Sequence, residues 1–485
     1  MFQPIVQLAR WFDEPYDVNM AAAKNCYSSQ GIASILPGCK SDLIEEIFNA
    51  GHHTVLEHTY FTFTLENISR HFVWSFLHSH PFYNSEQVSQ RYVEVNEKNY
   101  VVPPLDANCE TIYQETINFQ MQQYQKLTDM LQKLIEAETE CKSSRKRAME
   151  IARYVLPIGT TTHLYHTISL VTLLRYWWMR KSGDLPTEQT EVIKEMVQLV
   201  LTIEPRYAAL FNISNTLIGN TDTVTTCKYG SYQNDLYAKE FDLSLNNHNS
   251  KLVNYGTDNE QTVSESVREV CSRHMNVSNE FTIALAFMKK SKGSLNTSTM
   301  QKLDRCLSHA TYTFKKKISH TADSQDQRHR TVMGSRPNFV IPDNPDYITP
   351  LIIVGDREIK KEYDETMKVT WEGISNLRKH GVPSEFTQYL LPNAVSIRFS
   401  ETGNLLNLRH KYAMRLCYNA QEEIWRVTLD EVNQIRRINP IIGKYLLPPC
   451  TIRLSANEKP YCPEGKRFCG TRVWEIDVEN YERKL

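Results

Sequence analysis

The chain repeats itself at an offset of 235 residues, and this internal repeat limits its fold more than any other feature. Residues 152–157 read Ala-Arg-Tyr-Val-Leu-Pro, and residues 387–392 read Thr-Gln-Tyr-Leu-Leu-Pro. In each copy an arginine follows the proline by 23 residues, at Arg180 and at Arg415. A second match pairs residues 91–103 with residues 330–342 without a gap. Such self-similarity predicts one domain present twice.

Each copy also carries an amphipathic helix before its Leu-Pro step. In the first copy, apolar side chains recur at helical spacing: Ile117, Met121, Tyr124, Leu127, Leu131 and Leu134. The second copy has a weaker version between Tyr363 and Leu377. Residues 59–65 alternate as a half-buried strand does, and residues 101–102 predict another strand. Long helices with few strands predict an α+β fold, here as a tandem repeat.

The segment between the copies differs in composition. Residues 213–262 are rich in Asn, Ser, Thr and Gly and have little periodicity. We therefore predict a first repeat over residues 1–220 and a linker or insertion with the start of the second repeat over residues 221–300. The second repeat, with a Cys-containing tail, is predicted over residues 301–485.

Composition excludes several classes of protein. Among 485 residues, 55 Lys and Arg oppose 56 Asp and Glu, so the net charge of −1 is not that of a dedicated nucleic-acid binder. The longest apolar run, residues 164–179, is interrupted by His166 and Arg175, and no secretory signal is recognisable at the start. The 11 cysteines form no CxxC pair, which favours reduced thiols. We expect a cytoplasmic protein that binds neither nucleic acid nor a membrane.

The densest polar segment is residues 51–58, Gly-His-His-Thr-Val-Leu-Glu-His, and three interpretations compete for it. A metal hydrolase would use an HxxEH arrangement, but three residues separate His53 from Glu57 instead of two. A structural role would make the histidines caps or satisfied core groups. An anionic-ligand site would combine this segment with five arginines: Arg70, Arg91, Arg180, Arg398 and Arg415.

The tail contains three cysteines at Cys450, Cys462 and Cys469. Zinc sites usually have close paired spacings, and the 11 and 6 intervening residues here are loose. We predict no metal site, and whether these three cysteines bind a metal stays an open alternative.

Several segments taken together resemble the flavin-dependent thymidylate synthase family. In the first copy these are residues 21–29, 51–58, 61–63, 89–93 and 100–104. In the second copy, residues 381–383, 391–392, 398–399, 415 and 420–424 are similar to the C-terminal nucleotide-binding helices of the family. The resemblance implies two family units fused in tandem.

The resemblance also implies an activity. The family reductively methylates dUMP to dTMP, taking the one-carbon unit from methylenetetrahydrofolate and reducing equivalents from NADPH through FAD, without an enzyme nucleophile. Its members are homotetramers, so a fused pair would form a homodimer that is a pseudo-tetramer. A pyrimidine nucleotide is thus the expected ligand.

The resemblance assigns roles to individual residues. Flavin contacts fall on His52, Thr54, Glu57 and Asn404. The nucleotide-binding positions fall on Ser89, Arg91, Arg398 and Arg415. Arg415 matches the arginine that polarises the uracil, and Arg415 and Ser89 are the predicted catalytic residues.

The chain departs from the family at its Arg-His-Arg hallmark, which should lie between Ser69 and Ser89. Counting forward from Ser69 puts His78-Ser79-His80 there, and counting back from Ser89 puts Ser79-His80-Pro81 there, so one residue is inserted between the two positions. Neither version keeps an arginine. We predict that His78 and His80 replace the arginines as flavin contacts, with FAD affinity falling above a pH of about 6.5. The gapless register of the second copy puts residues 328–330, Arg-His-Arg, on residues 89–91, and an alternative register puts residues 326–328 there.

The second copy lacks the Gly-His-to-Glu-His segment, for which residues 307–309 are a remnant with Ser in place of Glu. The losses in the two copies are complementary. We therefore predict one kind of composite site that combines the first copy's residues with Arg398, Asn404 and Arg415. Two alternatives are a divergent flavoprotein that modifies another pyrimidine nucleotide and a catalytically inactive nucleotide-binding or scaffold homologue.

Overall fold

The computed structural model describes residues 2–29, 42–138, 144–180, 185–217, 235–272, 277–287, 302–337, 341–342 and 344–483. The chain divides into two compact units. Unit 1 comprises Met1–Tyr232, Asn338–Pro345 and Lys361–Asn393, and unit 2 comprises Gln233–Pro337, Asp346–Lys360 and Ala394–Leu485. None of the described helices combines the length and apolarity needed to cross a bilayer.

Each unit contains a four-stranded antiparallel sheet. In unit 1 the order is β1-β2-β4-β3, and in unit 2 it is β5-β6-β8-β7. The strands of unit 1 are β1 (Ile5–Arg10), β2 (Tyr60–Ser69), β3 (Asn84–Gln87) and β4 (Thr161–Ser169). The strands of unit 2 are β5 (Ser250–Tyr255), β6 (Thr311–Ser319), β7 (Met333–Ser335) and β8 (Ser396–Asn404). The two sheets have the same topology, which confirms the tandem α+β prediction.

Helices surround these sheets. In chain order they are α1 (Pro15–Asn25), α2 (Leu43–Asn49), α3 (Arg70–His78), α4 (Ala107–Glu138), α5 (Ser144–Ala152), α6 (Leu170–Met179), α7 (Thr187–Ile203), α8 (Ala208–Leu217), α9 (Asp235–Ser244), α10 (Asn259–Cys271), α11 (Asn279–Phe287), α12 (Lys302–Arg305), α13 (His320–Asp326), α14 (Leu351–Gly355), α15 (Arg357–Lys379), α16 (Ser384–Thr387), α17 (Leu405–Arg415), α18 (Glu422–Ile438), α19 (Pro440–Gly443) and α20 (Pro449–Ser455).

The alternating segment at residues 59–65 forms most of β2, as predicted. Phe61, Phe63 and Leu65 are fully buried and point into the core of unit 1. The strand predicted at residues 101–102 is wrong, because only an isolated bridge joins Tyr100 to Thr160 there. The two prolines that follow have no N–H to donate and cannot continue a ladder.

The two predicted amphipathic helices are confirmed as α4 and α15. Helix α4, and α15 from Lys361 onward, belong to unit 1. In α15 the buried positions include Tyr363, Met367 and Leu377. Gly373 of α15 lies against Thr116 of α4, and a Cβ at Gly373 would be 2.3 Å from the Thr116 Oγ1 atom. The absence of a side chain at Gly373 thus permits the close approach of the two helices.

The offset of 235 residues is confirmed at the start of α6 and α17. Ser169 and Asn404 cap these helices by accepting from the main-chain N–H groups of Thr172 and Asn407. The gapless second match is wrong. The N–H of Thr161 donates to the carbonyl of Asn99, and the N–H of Ser396 donates to the carbonyl of Asp346, so residues 99–103 correspond to residues 346–350 rather than to 338–342.

The boundary predicted near residue 220 lies outside the described residues. The second family-like sheet begins with β5 at Ser250, within the range assigned to the linker and the start of the second repeat. The compact units do not follow the repeats along the chain, because Lys361–Asn393 belongs to unit 1.

Candidate functional site

A serine at the end of the central strand fixes the start of the next helix in both units. Ser69 ends β2 and its Oγ accepts from the N–H of Phe72, while Ser319 ends β6 and its Oγ accepts from the N–H of Ala322. Counting nine residues forward gives His78 in the first repeat and Arg328 in the second. Because the two serines are structurally equivalent, this count puts residues 328–330 at the position of residues 78–80.

This equivalence corrects the sequence prediction for Arg328-His329-Arg330. Residues 328–330 were assigned to the position of residues 89–91, but they lie where the Arg-His-Arg hallmark is expected. The strand registers differ from this count by one residue: Ser85 of β3 faces His166 and Gly334 of β7 faces Glu401, which puts residues 328–330 on residues 79–81. The first repeat therefore has one more residue than the second between this serine and the last strand, and both counts put the Arg-His-Arg segment before that strand. The counterparts of residues 89–91 then fall at residues 338–340, outside the described residues. Sequence reasoning missed these three residues because it relied on a local match instead of counting from Ser319.

Arg415 lies beside the Arg-His-Arg segment in unit 2. Its guanidinium donates to the main-chain carbonyl of Gln325 in α13, the helix that leads into that segment. The rings of His329 and His410 are 5.8 Å apart. Burial, followed by the neighbouring guanidinium of Arg415, lowers the pKa of His329, so its ring is neutral at physiological pH. The Nε2 atom of His329 has no hydrogen-bond partner among the described residues.

The segment His53–His58 forms a 3-10 turn between α2 and β2, and His52 precedes its first residue. Val55 and Leu56 are buried and anchor the turn, whereas His52 and Thr54 are exposed and Glu57 is partly exposed. The predicted flavin contacts of the first repeat are therefore accessible to a ligand. In contrast, the ring of His53 stacks on Phe48 at 4.9 Å and has a structural role.

The second repeat has the corresponding turn at Cys306–His309. The N–H of Leu170 donates to the carbonyl of Thr59, and the N–H of Leu405 donates to that of Ala310. These matched bonds put Ser308 at the position of Glu57. The sequence prediction of a remnant with Ser in place of Glu is confirmed.

Ser89 lines a cavity of about 230 Å³ in unit 1. The side chains around it that can bind a polar ligand include Arg70, Asn99 and His163. The Oγ of Ser89 accepts from the N–H of Arg91 at 3.2 Å, which leaves its hydroxyl proton directed elsewhere. The cavity gives the predicted nucleotide-binding serine room for a ligand.

Arg91 is bound within the protein. Its guanidinium forms an ion pair with the carboxylate of Glu150, and both side chains are largely buried. Arg91 does not line the cavity beside Ser89. A nucleotide at Ser89 would have to compete with Glu150 before it could bind the Arg91 side chain.

His78 is the last residue of α3, and His80 follows two residues later. The Nδ1 atom of His78 is 2.8 Å from the main-chain oxygen of Trp74, so this nitrogen donates. The Nε2 atom of His80 is 3.0 Å from Arg175, and burial and then this guanidinium lower the pKa of His80 to about 4. His80 is therefore neutral near pH 7 and cannot supply the positive charge of an arginine. A loss of FAD affinity above pH 6.5 cannot come from this ring.

Arg398 and Asn404 lie at the two ends of β8 in unit 2. Arg398 donates to the carboxylates of Asp242 and Asp346, with distances of 2.7 and 2.5 Å for the shortest contacts. The Oδ1 of Asn404 accepts from the N–H of Asn407, so this side chain caps α17. Both predicted ligand contacts thus have structural partners here.

No metal centre was found among the described residues, since no group of three or more His, Cys, Asp or Glu side chains is arranged to hold an ion. Cys450, Cys462 and Cys469 are free thiols. Cys450 and Cys469 pack against the apolar cluster of Tyr418, Trp425 and neighbouring side chains. A structural role in this cluster accounts for these two cysteines.

A family model described as "Thymidylate synthase complementing protein" matches the chain twice, over residues 7–206 and 251–441. The chain belongs to this family. It is accordingly an enzyme of the thymidylate synthase type, made of two family segments in tandem. The flavin-dependent thymidylate synthase of Clostridium tetani is 29% identical over 208 residues, which cover 41% of this chain and 83% of that protein. The enzyme of the same name from Pyrococcus abyssi is 32% identical over 193 residues, 37% of this chain and 77% of that protein.

Two solved structures match less than half of this chain and almost all of their own length. Thymidylate synthase X from Helicobacter pylori, solved with FAD and dUMP, is 20% identical, covers 44% of this chain and 99% of its own, and has a TM-score of 0.32. The UMP/dUMP methylase PolB from Streptomyces cacaoi, solved with 5-Br dUMP, is 17% identical, covers 45% and 96%, and has a TM-score of 0.33.

Proposed function

We propose that this chain is a flavin-dependent thymidylate synthase that converts dUMP to dTMP with methylenetetrahydrofolate as the one-carbon donor and NADPH as the reductant. The observation that carries the proposal is the position of Arg328-His329-Arg330 beside Arg415 in unit 2. The hallmark that the first repeat has lost is present in the second. Family relatives at 29% and 32% identity carry the name of this activity.

The residues present fit a flavin. The unpartnered Nε2 atom of His329 can bond to a ligand, and the exposed guanidinium of Arg328 can bind its phosphates. In the first repeat, His52 and Thr54 are exposed side chains at predicted flavin positions. When bound, FAD would supply the two-electron reduction that turns the transferred one-carbon unit into a methyl group.

The protein's own contribution is binding and polarisation. Arg415 would donate to a uracil oxygen and favour the negative charge that develops on the ring when C5 attacks the one-carbon unit. Ser89 would hold the nucleotide through its hydroxyl group in the cavity of unit 1. The neutral ring of His329 can donate or accept but does not add a charge. Each repeat keeps groups that the other has lost, so we expect activity to require both.

The test combines spectroscopy with an assay for product. The purified protein should take up FAD, its visible spectrum should shift when dUMP is added, and dTMP should form with methylenetetrahydrofolate and NADPH. Arg415→Ala and Ser89→Ala should each lower kcat/KM by about 10- to 100-fold, since each removes a contact worth about 1.5 to 3 kcal/mol. Arg426→Ala is the matched control, because Arg426 is an exposed arginine paired only with Glu422 in the contacts described.

Two outcomes favour the alternatives. A protein that binds FAD but methylates UMP instead of dUMP is a divergent flavoprotein. A protein that stays colourless and does not bind dUMP is an inactive homologue. The observation that favours this alternative is that Arg91 and Arg398 already form ion pairs within the protein.

A further inference from the structure

The outer face of the sheet in unit 2 has a row of positive side chains. Lys315 and Lys317 project from β6, and Arg398 projects from β8 directly opposite Lys317. Helix α9 lies over this row. The ring of Phe241 in α9 is 5.5 Å from the Nζ atom of Lys315.

Asp242 of α9 inserts its carboxylate between the two central cations. Its Oδ1 atom accepts from Arg398 Nε at 2.7 Å, and its Oδ2 atom accepts from Arg398 Nη2 at 2.7 Å. The same Oδ2 atom accepts from Lys317 Nζ at 2.7 Å. A bidentate guanidinium with an added ammonium group is an arrangement that also binds phosphate monoesters.

The equivalent position in unit 1 is a cavity. His163 corresponds to Arg398 at the offset of 235 residues. Asn99 corresponds to Asp346, because the main-chain carbonyl of each accepts from the N–H of the first residue of its strand, Thr161 in β4 and Ser396 in β8. Both His163 and Asn99 line the cavity that contains Ser89. Thus one repeat has an open cavity at the position where the other has the carboxylate of Asp242.

We propose that Arg398 and Lys317 form a binding site for a phosphate monoester in the second repeat, and that Asp242 of α9 occupies this site in place of the ligand. The choice of a nucleotide phosphate as the ligand rests on the proposed function, whereas the anion site rests only on the contacts of unit 2. Two cations face two carboxylates, Asp242 and Asp346, so the site is neutral with α9 in place and positive without Asp242.

The position of Asp242 suits displacement. Its side chain is 34% exposed, whereas that of Arg398 is 3% exposed, so the carboxylate is the accessible member of the pair. An anion can therefore approach Asp242 from solvent and exchange with it. Burial raises the pKa of Asp242, but hydrogen bonds from Arg398 and Lys317 outweigh this effect and lower it, so the side chain stays ionised at neutral pH.

The decisive variant is Asp242→Asn, which keeps the size of the side chain and removes its charge. We expect inorganic phosphate and dUMP, measured by titration calorimetry on the full-length protein, to bind at least tenfold more tightly to D242N than to the wild type. Glu240→Gln is the matched control, because it removes the same charge from the same helix at an exposed position. The double variant D242N/R398M should lose the gain. If D242N and E240Q titrate alike, the proposal is wrong.

A second measurement uses the wild-type protein and does not depend on the folding of D242N. Phosphate should speed hydrogen exchange of the α9 amides relative to sodium chloride at the same ionic strength, because displacement of Asp242 releases the helix. Unchanged exchange in α9 at saturating phosphate would contradict the proposal. Neither measurement needs dTMP synthesis, so a failure here is distinct from a failure of the proposed function.

Discussion

At the scale of single residues, Glu188 shows how burial creates a pH-dependent contribution to stability. Its carboxyl group is 1% exposed in unit 1. It accepts from the N–H and hydroxyl of Ser69 at 2.8 and 2.6 Å and from the hydroxyl of Tyr389 at 2.9 Å. Burial raises the pKa of Glu188 to about 7, and the hydrogen bonds from Ser69 offset only part of this increase.

The raised pKa fixes the sign of the pH effect. Between pH 4.5 and 7 the folded state binds a proton at Glu188 that the unfolded state has lost, so this group's contribution falls as pH rises through that window. Glu188→Gln is neutral throughout and should remove this slope. We expect wild-type stability, relative to E188Q, to fall by up to about 3 kcal/mol between pH 4.5 and 7.5 in denaturant unfolding.

The second repeat provides the control for this prediction. Glu423 accepts from the N–H and hydroxyl of Ser319 at 2.7 and 2.5 Å, but its position is partly exposed. Glu423→Gln thus removes a carboxylate from the same bonding pattern in a more hydrated setting. Equal pH slopes in the wild type and E188Q would contradict the role given to burial.

At the scale of elements, the two repeats fill the same core positions with different chemistry. In unit 2, Lys316 of β6 lies among Asp326, Glu401 and Glu431 at 3.4, 2.6 and 2.7 Å, and Lys411 of α17 also pairs with Asp326. These side chains are all buried. The strand registers put Leu65 of β2 at the position of Lys316 and His166 of β4 at that of Glu401. An aromatic and aliphatic core in unit 1 is therefore an ionic core in unit 2.

Removing one cation from this ionic core should be costly. Lys316→Met leaves three buried carboxyl groups with less compensation, so we expect a loss of about 3 to 5 kcal/mol in the free energy of unfolding. Lys315→Met is the control, because the neighbouring side chain points to the outer face and contributes about 1 kcal/mol through its contact with Phe241. Similar losses in thermal or urea unfolding for the two variants would contradict the ionic-core interpretation.

Some of the elements could be predicted from the sequence and others could not. The strand β2 and the helices α4 and α15 follow from apolar periodicity, because one face of each is buried. The pairing of residues 338–342 with residues 99–103 was wrong, since similarity in an irregular segment carries no information on hydrogen-bond register. The isolated bridge between Tyr347 and Val395 is the one that corresponds to the bridge between Tyr100 and Thr160.

The site was partly predictable for a similar reason. The exposed turn at residues 52–58 and Ser89 lie in continuous motifs, and the structure keeps them accessible. The hallmark at residues 328–330 could be located only by counting from the helix cap at Ser319. The partners of Arg398 were not predictable, because Asp242 and Asp346 come from two segments far from β8 in sequence. Charged side chains are usually exposed to solvent, so nothing in the sequence indicates that Arg398 pairs with Asp242 and Asp346.

At the scale of the whole molecule, the repeats are not independent along the chain, because unit 1 includes Lys361–Asn393 of the second repeat. Gln120 of α4 donates to the main-chain carbonyl of Leu390 at 3.0 Å. The N–H of Gly159 donates to the carbonyl of Tyr389 at 2.8 Å, and Pro157 bridges to Pro392. The two Leu-Pro steps of the repeat thus meet in one compact unit.

This arrangement predicts how the chain behaves when it is cut between the repeats. A fragment of residues 1–220 lacks Lys361–Asn393, so it exposes the apolar face of α4 and leaves Glu188 without Tyr389. Loss of the fully buried Tyr389 alone should cost about 3 to 5 kcal/mol, and the missing α15 adds to this. We expect the fragment to aggregate or to be digested rapidly in limited proteolysis.

Co-expression with residues 221–485 should restore a protease-resistant complex that co-purifies, because that piece supplies the missing segment. A monomeric 1–220 fragment that unfolds cooperatively at the melting temperature of the full-length protein would contradict this account.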